Sequence, residues 1–270
     1  MFLRCAALSL VAFGIGCAPL LADPPSLTPD QLAHATHSDM LTIPTPGELF
    51  AALSKPGKPD WAAQYRGPVS SSFSDRAQIA LNLGGLVADG FIAVEAQDSQ
   101  QVKNIGGDLI KLAKALGVSE NVLSRGKSIN DFAENDEWDA LQEELEATQN
   151  EVKASMLSNR DNDYVILVSL GGWIRGTQVV SGLIMRDYNA DAAKVLRQPA
   201  LVSYIQAKVK EMSPELQNDP LVKSVSSKLS DIQKLVTFSA SGIPTAEEVK
   251  KLNEAVTNLM AEIQRKPDTK

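Results

Sequence analysis

From residue 73 onward, apolar positions recur at three- and four-residue intervals, and no useful stretch alternates with the two-residue period of a strand. Ile79, Leu83, Val87, Phe91 and Val94 mark a first helix. Val102, Ile105, Leu109, Leu112 and Leu116 mark a second, which Gly117 ends because glycine takes the left-handed stop without strain. A short helix is expected over 120–124, and Ser128 to Asp131 read as a cap before Phe132. Trp138, Leu141, Leu145, Val152 and Met156 form one face of a long helix. Residues 164–185 are apolar nearly all round, as a buried central helix is; Arg175 and Gln178 interrupt the run and argue against a membrane span. Pro199, Asp219-Pro220 and Thr245 with Glu248 open three further amphipathic helices. The pattern predicts an all-α protein: one bundle-like domain of about seven or eight helices over 73–266, with 267–270 a disordered tail.

Upstream the pattern changes. Residues 23–72 hold eight of the 14 prolines and read as an arm laid over the helical domain, loose before residue 43. Thr28-Pro29 and Thr45-Pro46, each with Gln or Glu three residues after the Thr, signal two short helices within it. Trp61 and Tyr65 give the arm large groups to anchor it. Residues 1–22 carry one early cation, Arg4, then an apolar run too short to span a bilayer, the layout of a secretory signal peptide. Cleavage after Ala22 is the preferred reading and places the protein in the periplasm or cell envelope. The alternative is lipidation of Cys17, supported by Gly16 before it but opposed by Gly14, where such sites prefer a branched aliphatic residue.

Composition narrows the chemistry. Hydrophobic residues make up 44% and charged residues 22%, an ordinary globular balance. Both cysteines lie before residue 23, so a mature chain cut after Ala22 has no thiol nucleophile, disulfide or thiolate metal site. The two histidines, His34 and His37, lie in the arm without an evident third ligand, and a helical body lacking His cannot host a Ser-His-Asp centre. Arg125-Gly126-Lys127-Ser128 ends like a phosphate loop, but Asn121 stands where the motif needs glycine. No motif implies a cofactor. The net charge is −7, and residues 23–158 carry 10 Lys/Arg against 20 Asp/Glu, which argues against nucleic acid as a partner. Seven carboxylates between Asp136 and Glu151 read as a solvated helix face.

Three polar-aliphatic-Gly-Gly segments remain, at 82–85, 104–107 and 169–172. Glycine inside a helix costs about 1 kcal/mol relative to alanine, and its usual return is close helix approach. Asn82, Gly85 and Asp89 share a stripe of one helix; Gly171, Gly172, Arg175 and Gln178 share a stripe of another. A charge buried in apolar helices needs a partner. The two helices are therefore expected to pack, with Asp89 and Arg175 close enough to pair. Asn82, Asp89, Arg175 and Gln178 are the candidate ligand-binding residues, in a glycine-lined groove beside that pair. The expected function is an exported binding or scaffold protein for a protein or small-molecule partner. Two alternatives are an envelope protein anchored to the membrane through Cys17 and an enzyme working on a small polar ligand without His or Cys.

Overall fold

The computed structural model describes residues 43–54, 59–70, 72–238 and 242–266. Residues 1–22, read above as a signal peptide and containing Cys17, both histidines and residues 267–270 lie outside the described residues. Among the described residues there is no strand, and the apolar repeats form helices where their spacing places them. They are α1 (Pro46–Ser54), α2 (Arg76–Glu95), α3 (Ser99–Ala115), α4 (Glu120–Leu123), α5 (Gly126–Glu134) and α6 (Trp138–Ser158). There follow α7 (Asn162–Arg186), α8 (Ala190–Ala193), α9 (Pro199–Lys210), α10 (Pro214–Asn218), α11 (Pro220–Thr237) and α12 (Ala246–Ile263). Two 3-10 turns cover Ala62–Gln64 and Lys194–Leu196. α4 is the short helix expected over 120–124; the count exceeds the seven or eight expected mainly because α8 and α10 add single turns at corners. A single turn is too short to display a 3.6-residue period.

Capping chemistry fixes many of the starts. Asp75, Asp98 and Asp219 each accept a hydrogen bond from the backbone amide three residues on, at 2.6, 2.9 and 2.9 Å. Thr45 with Glu48 and Thr245 with Glu248 close reciprocal capping boxes at the starts of α1 and α12. Gly117 stops α3 in the left-handed conformation, with φ +80°. One start differs from expectation. α5 begins at Gly126 rather than after Asp131, and Ser128 lies inside it, its hydroxyl donating to the Arg125 carbonyl and to Glu144. The Ser128–Asp131 stretch resembles a cap only until the i−3 carbonyl offers Ser128 a partner within the helix.

α2 and α7 form the centre, with α3, α5 and α6 on one side and α9, α11 and α12 on the other. Two glycines set the spacing of the central pair. A Cβ on Gly84 would stand 1.9 Å from the Val168 carbonyl oxygen, and one on Gly171 would stand 2.0 Å from that of Leu81. The helices thus touch backbone to backbone, which no residue with a side chain permits. Gly106 and Gly107 of the third segment behave differently: a Cβ on either meets nothing within 4 Å. α2 is long and apolar enough to cross a membrane, but 94% of its most apolar window is buried inside this fold.

The described part of the arm belongs to the core. Ile43, Leu49, Phe50 and Trp61 are all buried, and the Phe50 and Trp61 rings pack at a tilt of 53° with centroids 5.2 Å apart. α1 rests on α7, where Pro46 and Leu49 occupy the space left by Gly172 and Gly176.

Candidate functional site

Asp89 of α2 and Arg175 of α7 are both buried in the central pair. Arg175 donates from Nε to Asp89 Oδ1 at 2.8 Å. Its other two nitrogens also donate: Nη1 to Gln178 Oε1 at 2.8 Å, and Nη2 to the Gln64 carbonyl at 2.5 Å. Gln178 passes the network on to Thr257 of α12 at 3.1 Å. Three of the four candidate residues therefore come together.

Asn82 does not join them. It lies seven residues before Asp89, about 10 Å along the helix. Its amide donates to the Ile263 carbonyl at 2.9 Å, beside Gln78, which reaches Ile263 and Arg265. The pair satisfies carbonyls that the C-terminus of α12 leaves open.

Arg66, which the periodicity had no means of flagging, completes the charge cluster from the arm. Its Nε donates to Asp89 Oδ2 at 2.7 Å, and its Nη2 also contacts that oxygen. One carboxylate thus holds two guanidinium groups. Burial pulls the Arg66 guanidinium below its ordinary range; Asp89 opposes the shift and Arg175 adds to it. Arg66 Nη1 is buried without a partner. Beside the cluster lies a polar cleft of about 290 Å³, lined by Tyr65, Arg66, Asp89, Gln101, Asn104 and Asp108 among others. Tyr65 donates its hydroxyl to Asp98 at 3.3 Å; burial first, and then the Asp98 charge, raises the phenol above its ordinary range.

A second cavity, of about 230 Å³, opens between α2, α3, α5 and α6. Leu83, Val87 and Phe91 form its floor, and Val102, Ile105, Leu109 and Ile110 one wall. Ile129 of α5 and Leu145 and Val152 of α6 form the other. Gly106 and Gly107 leave the space beside them open, while Gly126 makes room for Ile110. The glycine-lined space is therefore this one, and neither Asp89 nor Arg175 borders it. Its polar groups are few. Thr148 Oγ1 and Gln149 Oε1 are buried without hydrogen-bond partners, and Lys153 lies on the same face of α6. Burial pulls the Lys153 ammonium below its ordinary range, against an opposing pull from Glu48.

The signals for this cavity in the sequence are Gly106-Gly107, which spend helix propensity without a close neighbour, and Lys153, the one cation in α6. The acidic residues of that helix mostly face water. Glu144 is the half-buried exception, bridged with Glu151 by Arg125. Among the described residues, no group of three or more His, Cys, Asp or Glu is arranged to hold a metal. Comparison with protein-family models, curated proteins and solved structures finds no match.

Proposed function

We propose that the protein is an exported, bundle-like helical binding protein whose ligand occupies the apolar cavity between α2, α3, α5 and α6. The observation that carries this reading is the composition of the cavity wall: mostly apolar side chains, with few polar groups, of which Thr148 and Gln149 are unsatisfied. Interiors are packed to crystal density, and buried polar atoms nearly always have partners. A cavity that breaks both rules at once is the default place for a ligand. An apolar cavity of about 150 Å³ already takes up benzene, so this one suits a larger apolar group.

The polar cleft beside Asp89 is the weaker candidate. Arg175 does not border it, bonding instead to Asp89, Gln178 and the Gln64 carbonyl, and the charged groups of its lining are Arg66 and Asp89, already held by each other, and Asp108. We assign the Arg66–Asp89–Arg175 cluster to fastening the arm onto the central helices.

Calorimetric titration with decanol tests the reading. Saturable one-to-one binding is expected, together with at least tenfold weaker binding by Gly106→Phe, which places a ring in the open space beside Gly106. Absence of saturable binding by the wild type, or unchanged binding by a folded Gly106→Phe, would refute it.

A further inference from the structure

The cavity has one chemically distinct end. Thr148, Gln149, Val152 and Lys153 all border the cavity from α6; Gln149 and Lys153 lie one turn apart, with the Thr148 hydroxyl in the turn alongside, so the orphaned polar atoms and the ammonium group meet the same end of the space. Gln149 and Lys153 also border the small cleft under Ile43, Pro44 and Pro46, which places this neighbourhood where α6 meets the start of α1. From there the cavity continues between apolar walls towards Ile110 and Ile129.

Lys153 is uncommitted. Lys103, the other cation bordering the cavity, is paired with Glu134 at 2.8 Å. Among the described residues no carboxylate lies within ion-pair distance of Lys153. Glu48 is the opposite charge that acts on it most, yet Glu48 is exposed and its carboxylate is engaged by the Thr45 backbone amide at 2.6 Å. A half-buried cation without a partner carries a desolvation cost, and an incoming anion offsets that cost.

Resting on the reading of this cavity as a binding site, we propose that its ligand is a single-chain amphiphile with a carboxylate head, of the fatty-acid type. The carboxylate meets Lys153 and the Thr148 hydroxyl, and the alkyl chain lies between α2, α3, α5 and α6. Turning the Gln149 side-chain amide about its last bond exchanges an acceptor for a donor, so Gln149 can serve the same head group. The burial that depresses the Lys153 ammonium when the site is empty is the same burial that strengthens its attraction for a carboxylate.

The test compares decanoate with decanol, which share a chain and differ in the head, against wild type, Lys153→Met and Lys153→Arg at neutral pH. A hydrogen bond to a charged group predicts that the wild type binds decanoate about tenfold more tightly than decanol. Lys153→Met loses that preference, and Lys153→Arg keeps it. Equal wild-type affinity for the two probes, or a preference that survives Lys153→Met, overturns the carboxylate assignment while leaving the apolar cavity as a binding site. Failure of the wild type to bind either probe overturns both.

Discussion

Arg175 Nε donates to Asp89 Oδ1 at 2.8 Å, across two helices whose backbones meet at Gly84 and Gly171. The charge pair and the glycine contact depend on each other. Close approach brings the two side chains within reach, and the ion pair satisfies charges that the same approach removes from water. Arg66 closes the remaining carboxylate oxygen and carries the arm with it.

Removing Asp89 leaves two buried guanidinium groups facing each other. Asp89→Ala is expected to cost about 3–5 kcal/mol, the usual loss when one partner of a buried ion pair is deleted. Replacing all three charges together by apolar residues should cost much less, because no orphaned charge remains. Urea unfolding of the single and triple variants measures both. A triple variant as unstable as Asp89→Ala would show that the cluster is worth more than its own desolvation.

The three Gly-Gly segments divide by sign. Gly84→Ala and Gly171→Ala force a methyl group against a backbone carbonyl and should each cost about 3 kcal/mol or more. Gly107→Ala meets open space within a helix and should stabilise by about 0.5–1 kcal/mol. Thermal unfolding followed by circular dichroism separates the two classes. A loss of stability in Gly107→Ala would show that this glycine serves local geometry instead.

Lys153 is expected to lower stability in the absence of ligand. Burial depresses its ammonium, so between its value in the folded chain and the ordinary lysine value of about 10.4 the unfolded state binds more protons. Stability therefore rises with pH across that window, and below it the cost is fully present. Lys153→Met should be more stable than wild type at neutral pH, by a few degrees in Tm, and the gap should narrow as the pH rises towards 10. A Lys153→Met protein less stable than wild type at neutral pH would contradict this reading.

The parts legible in the sequence were those carried by local rules. The 3.6-residue repeats placed the long helices, and the capping residues Asp219, Thr45 and Thr245 marked where helices begin. The Asp89–Arg175 pair was legible because each charge interrupts an otherwise apolar helix. Arg66 was not, since the arm has no period from which to read the direction of a side chain. Asn82 shared the stripe of Asp89 but sits two turns away, and the α12 terminus that occupies it comes from the far end of the chain. The cavity was least legible. Empty volume belongs to the arrangement of four helices, and Gly106-Gly107 resembles Gly84-Gly85 until the absence of a neighbouring helix is seen.

Methyl-labelled Ile, Leu and Val side chains report the occupant of the cavity directly when decanol is titrated and the methyl spectrum is followed by nuclear magnetic resonance. Saturable shifts should concentrate on Ile105, Leu109, Ile110, Ile129 and Val152, the methyl groups that line the space. Shifts centred on the exposed Leu157 and Ile243, or no saturable shift up to the solubility limit of the alcohol, would contradict the account.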